Sequence, residues 1–174
     1  MAKISVNFVN EKQQKEQWCW AAVATNVFNS ICHGVPAMLQ VDVVQRVTNG
    51  LPNHGGTVDE ALVVLGIRDG QPVDRTAVDV NFLAAELRSK PAAADPEGEP
   101  VCAEIRWHDQ ARHFVAISGV DVQRQTVFVE DPFFGPGNTI EYLYNDFVRH
   151  YGAHDPVNTG RDGTVQTFQK VKRH

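Results

Sequence analysis

The apolar positions change period partway along the chain. After Cys19, the residues Val23, Val27 and Ile31 recur every four positions, flanked by Ala24 and Phe28, which predicts a helix. Gly34 and Pro36 supply its stop. A second helix is predicted through "AMLQVDVVQRVTNG", ending at Asn49-Gly50, and residues 51–56 read as a loop. "TVDEALVVLGI" predicts a third helix, with Thr57 as N-cap and Glu60 three residues on, the pattern of a capping box. "VDVNFLAAELRSK" predicts a fourth, with Asp79 as a candidate N-cap. The polar, proline-rich "PAAADPEGEP" reads as a connector.

Beyond it the period shortens to two. "VCAEIRW" puts Val101, Ala103, Ile105 and Trp107 on one side. "HFVAISGV" and "TVFVED" are β-branched and aromatic runs between polar turns, and "NTIEYLY" and "TVQTFQKV" are two further strands. A short helix, "NDFVRHY", separates the last two. Helices followed by an antiparallel sheet define an α+β class. The expectation is one domain over 1–174, with a helical lobe at about 1–90 and a β lobe at about 98–174. There is no internal repeat.

Composition narrows the function classes. At 174 residues with 43% hydrophobic and 21% charged residues, the chain is ordinary globular material. A net charge of −5 argues against a general nucleic-acid binder, and the one basic run, "KVKRH", is too short to change that. No apolar stretch reaches the roughly 18–20 residues of a membrane span, so no membrane partner is expected. The N-terminus carries no apolar signal core. Localisation is left between the cytoplasm and export by a signal-less route. Three cysteines, Cys19, Cys32 and Cys102, do not build a disulfide framework, so a free thiol is expected.

Cys19 lies where "QWCW" becomes a helix. The first turn offers unpaired N–H groups and the positive end of the helix dipole, and both favour a thiolate, the nucleophilic form. Cys32 lies in the last turn, where the field has the opposite sign, and Cys102 alternates within a strand. A small buried apolar thiol is the other reading of Cys19. A catalytic thiolate needs a base. Of seven histidines only His113 opens a strongly apolar strand, sharing a face with Val115 and Ile117. His108 is the rival but falls in a hairpin turn. An imidazole needs an orienting group. Asp131 ends the next strand, where a hairpin brings it back to the start of the first, and Pro132 leads the chain out of the ladder. A turn-initiating Asp-Pro is the plainer use of that pair. Gln13, Gln14 and Gln17 are candidate side-chain donors to an oxyanion, beside the backbone N–H of Cys19. Trp18 is a candidate groove wall, against core packing of Trp18 and Trp20. A zinc site from Cys102, His108 and His113 fits no compact ligand spacing, so no metal and no cofactor is expected.

Taken in order, a Gln before "WCWAA", then "HFVAISGV", then "VFVEDP" resembles the papain-like cysteine proteases, most of all the bacterial branch that includes effector proteases of plant pathogens. The resemblance covers most of the chain. It implies a two-lobed fold with the site in the cleft between lobes. It selects Gln13, six residues before Cys19, as the oxyanion amide, and a triad of Cys19, His113 and Asp131. The residue before the histidine is commonly Gly in that branch and is Arg112 here, a cation that would lower the imidazole pKa or select acidic substrates. The implied function is endopeptidase cleavage of a peptide or protein substrate by a monomeric enzyme. Acyl transfer or deamidation at Gln side chains, and an inactive binding module, are the alternatives.

Overall fold

The computed structural model describes residues 3–50, 55–88, 98–153 and 161–172. Helix α1 (Cys19–Ile31) is buried along nearly its whole length, which a two-sided apolar sequence requires. Ala21, Ala22 and Ala24 are fully buried and let the helix approach its neighbours closely. Helices α2 (Gln40–Thr48) and α3 (Val58–Val64) follow. Asn49 closes α2 in the left-handed conformation, at φ 53°. The α3 capping box forms as its sequence predicts: Thr57 Oγ1 accepts from the Glu60 N–H at 3.2 Å, and Glu60 Oε2 accepts from the Thr57 N–H at 3.2 Å. Helix α4 (Val80–Arg88) starts under an Asp79 carboxylate that accepts from the Phe82 N–H at 2.7 Å.

Seven strands form one antiparallel sheet among the described residues: β1 (Ile4–Ser5), β2 (Arg68–Asp74), β3 (Val101–Trp107), β4 (Arg112–Asp121), β5 (Thr126–Glu130), β6 (Thr139–Leu143) and β7 (Gly163–Val171). Their order is β2-β7-β3-β4-β5-β6, with β1 pairing along β4. Helix α5 (Tyr144–Arg149) lies between β6 and β7 in the chain.

Both faces of the sheet are covered, which explains why β4 and β5 read as continuous apolar runs. On one side α1, α2 and α3 pack with Cys102, Phe114 and Ala116. On the other, α4 and α5 pack with Val101, Ala103, Ile105, Val115 and Ile117. Trp107 belongs to that second core, on the same side of β3 as Val101.

The expected division of the chain at about residue 90 is crossed by the packing. Helix α4 packs against the sheet, β1 pairs Ile4 with Val120, and β2 pairs with β7 from Arg68↔Val171 to Asp74↔Thr167. Strands β1 and β2 were not predicted. The former is two residues long. The latter, "RDGQPVD", has strand neither by composition nor by alternation. It holds an edge position where Pro72 falls inside a register shift, so no ladder bond is lost. Gly119 is required by β1: a Cβ there would stand 2.8 Å from the Ile4 carbonyl oxygen. The connector's residues 91–97 and loop residues 51–54 lie outside the described residues. None of the described helices is long and apolar enough to cross a membrane.

Replacing Thr57 with Ala removes the acceptor for the Glu60 N–H. The expected loss is about 1 kcal/mol of unfolding free energy, measured by urea titration, with no change in the denaturant slope.

Candidate active site

Three side chains from three elements meet at the start of β4. Register places the first two. Ile105 pairs with His113, and Ala116 pairs with Glu130, so Asp131 follows one step past the β5 ladder, back towards the β4 start. There His113 Nε2 and Asp131 Oδ2 stand 2.9 Å apart. The His113 ring also hydrogen-bonds the Cys19 side chain. With Nε2 on Asp131, Nδ1 is the ring nitrogen left for sulfur. Cys19, His113 and Asp131, predicted separately from sequence, are thus brought into one chain of contacts.

All three are buried, Asp131 completely. Burial alone would drive the imidazole neutral, since a low-dielectric setting disfavours charge. The adjacent Asp131 charge and hydrogen bond, together with Cys19, outweigh it and raise the His113 pKa from 6.5 to about 10. Asp131 shows the reverse contest. Burial pushes its pKa up, but His113, the Tyr151 hydroxyl and the Phe133 N–H hold it below the ordinary carboxylate range. Arg112 does not act on the imidazole as its position in sequence suggests. Its guanidinium lies 3.5 Å from Glu104.

The other thiols are set apart by their surroundings. Burial pushes Cys102 up to about 12, which keeps it a thiol. Cys32 caps the far end of α1. His108 is in the β3–β4 turn, three-quarters exposed and 3.7 Å from Asp162. Among the described residues no group of three or more His, Cys, Asp or Glu side chains is arranged to hold a metal ion.

Cys19 and His113 open into a cleft of about 1310 Å³. The segment 12–17 forms part of its wall. Gln13 is in that wall, but its Nε2 donates to the carbonyls of Lys15 at 3.1 Å and Glu16 at 2.8 Å. Both of its N–H bonds are engaged, and its Oε1 is buried without a partner among the described residues. Trp20 edges the cleft; Trp18, the sequence candidate for that role, is buried in the helical core instead, with the Lys15 ammonium over its ring at 4.8 Å. Gly56 lies flat against Trp20, where a Cβ would fall 2.7 Å from the indole. Gly55 and Phe133 also line the cleft.

Sequence reasoning missed the residues that hold this arrangement. Tyr151 donates its hydroxyl to Asp131 Oδ2 at 2.6 Å. Trp107 stacks on His113 with ring centroids 5.6 Å apart. Asn10, buried, donates to the carbonyls of Asp131 and Gly135 at 3.1 Å each, while its Oδ1 accepts from Asn26 of α1. Gln40 of α2 accepts from the Gln14 N–H and donates to the Lys12 carbonyl. An amide that bonds backbone far away has no local signature; only its burial reveals it.

No protein-family model matches the chain, and no curated protein matches it. Among solved structures it is similar to a double glycine motif protease from an AMS/PCAT transporter, determined in complex with the leader peptide. The two are 16% identical, the likeness covers 94% of each chain, and the TM-score is 0.49.

The His113 shift has a direct readout. A group whose folded pKa is raised contributes stability that is complete below its unfolded pKa and is lost as pH rises through the folded one. His113 stabilisation should therefore be whole below about 6.5 and fade up to about 10. By nitrogen NMR the His113 ring is expected to remain doubly protonated at pH 8. Cys19→Ala should lower that titration midpoint, because one of its supports is gone.

Proposed function

We propose that the chain is a cysteine peptidase of papain-like type. The observation that carries this reading is the Cys19–His113–Asp131 chain at the head of an open cleft. The proposal extends to the papain-like class and leaves the pathogen-effector branch aside, since no residue of the site speaks for it.

The chemistry follows from the geometry. The Cys19 thiolate attacks a peptide carbonyl, and negative charge moves to the carbonyl oxygen. The Cys19 N–H, in the first helical turn, lacks an intrahelical acceptor and is a donor for that oxygen. Gln13 is the second donor, which requires it to exchange one of its two carbonyl bonds for the substrate. His113 gives its proton to the leaving amine, and a thioester remains on Cys19. Neutral His113 then takes a proton from water, the hydroxide adds to the thioester, and the acid product departs as the thiolate–imidazolium pair is restored. Asp131 keeps the ring oriented through Nε2 throughout.

The cleft also favours a substrate charge. Lys12, Lys15 and Arg161 face it, against Glu16 and Glu60 in the same lining, while Arg112 is paired with Glu104 and Asp131 with His113. A peptide bearing acidic residues near the scissile bond complements that surplus.

Proteome-wide mapping of new N-termini with wild type against Cys19→Ala tests the reading. Wild type should generate cleavages with acidic residues enriched around the cut, and Cys19→Ala should generate none. Gln13→Ala should lower turnover by about 10²–10³. Full activity in Cys19→Ala would overturn the mechanism. A one-dalton mass gain or a cross-link at substrate Gln, without cleavage, would move the acyl donor from backbone to side chain.

A further inference from the structure

We propose that Tyr151 is a positioning residue of this centre, whose hydroxyl fixes the Asp131 carboxylate and, through it, the His113 imidazole. The inference rests on the cysteine-peptidase reading and deepens it.

The geometry singles Tyr151 out. Asp131 Oδ2 takes two donors at once, His113 Nε2 at 2.9 Å and the Tyr151 hydroxyl at 2.6 Å. Asp131 Oδ1 has one, the Phe133 N–H at 2.8 Å. Without the phenol, the oxygen that faces the imidazole would be held by the imidazole alone. A buried tyrosine needs some acceptor for its hydroxyl. Here the acceptor is an anion, and the bond is a short, charge-assisted one. The ring is itself clamped. Tyr151 exchanges two backbone hydrogen bonds with Gly163, at 2.8 and 3.0 Å, and its ring meets Tyr142 and Phe147 at 5.3 and 5.8 Å. It also packs near the His113 ring at 6.3 Å and Trp107 at 5.8 Å. One clamped side chain thus binds the acid and packs beside the base.

The charged groups around the pair are otherwise occupied. Arg112, next to His113 on β4, is turned to Glu104. Glu130, next to Asp131, accepts from the Ser118 and Thr139 hydroxyls at 2.8 Å each. Arg161 lies over Trp107, 5.6 Å from its centroid. Cys19 of α1 is the group on the other side of the imidazole. Tyr151 is therefore the neutral donor that helps keep the carboxylate charged beside the imidazolium. Loss of the hydroxyl raises the Asp131 pKa, so the support that the carboxylate gives His113, and through it Cys19, fails at a higher pH.

The test is the pH profile of Cys19 alkylation by iodoacetamide, read by mass spectrometry on the intact protein with Tyr151→Phe beside wild type. The acid limb of Tyr151→Phe should move up by about half to one pH unit, so that alkylation on that limb slows by about three- to tenfold. A purely structural role would lower the melting temperature and leave the limb in place. Incorporation of 3-fluorotyrosine at position 151 keeps the shape and strengthens the donor, and should move the limb down. Superposition of the fluorotyrosine profile on that of wild type overturns the proposal, even where Tyr151→Phe fails to fold. If wild-type Cys19 itself reacts only as an ordinary thiol, with a limb near about 8.5, the peptidase reading has failed and Tyr151 with it.

Discussion

A carboxylate with no surface in water is costly, and Asp131 is one. Three donors offset that cost: the Phe133 N–H on one oxygen, His113 and Tyr151 on the other. Each comes from a different stretch of chain, so satisfying this one charge dictates where each must lie. Pro132 has already taken the chain out of the β5 ladder, and the turn after it supplies the N–H. The strand register delivers His113. The backbone exchange between Tyr151 and Gly163 delivers the phenol.

The same turn anchors the N-terminal segment. Asn10 binds the carbonyls of Asp131 and Gly135, and the Gln13 N–H binds the Pro132 carbonyl at 2.8 Å. Asn26 ties that segment to α1, whose first residue is Cys19. Cys19, His113, Asp131 and Gln13 are therefore joined by a few buried polar bonds, each expensive to leave unmade. A buried polar network of this kind fixes one arrangement where an apolar contact would tolerate several. In the proposed mechanism the protein needs that rigidity on the carboxylate side. On the Gln13 side it needs some give, because the amide must trade a loop carbonyl for substrate.

What was legible in sequence was what is encoded locally. The capping box at Thr57 and Glu60, the four-residue spacing of Val23, Val27 and Ile31, and the alternation in β3 all express neighbour-to-neighbour geometry. Their elements form with ends within a few residues of those expected. Hairpin logic carried further, since it placed Asp131 beside His113 across eighteen positions. It failed where a strand is made by its partner. Strand β2 exists because β7 offers it an edge, and nothing in "RDGQPVD" announces that. Tyr151, Asn10 and Gln40 were silent for the same reason, as their partners lie 16 to 125 residues away. The two tryptophans flanking Cys19 were ambiguous because both are buried; only the turn of the helix shows that Trp20 reaches the cleft and Trp18 does not.

The central claim is that Cys19 and His113 form a thiolate–imidazolium pair before any substrate arrives. Thiolate absorbance near 240 nm, followed against pH as the difference between wild type and Cys19→Ala, measures it without a substrate. The account predicts that absorbance belonging to Cys19 depends on His113, because the two side chains interact directly. His113→Ala should therefore move the transition to higher pH. A transition unmoved by the loss of His113 would contradict it.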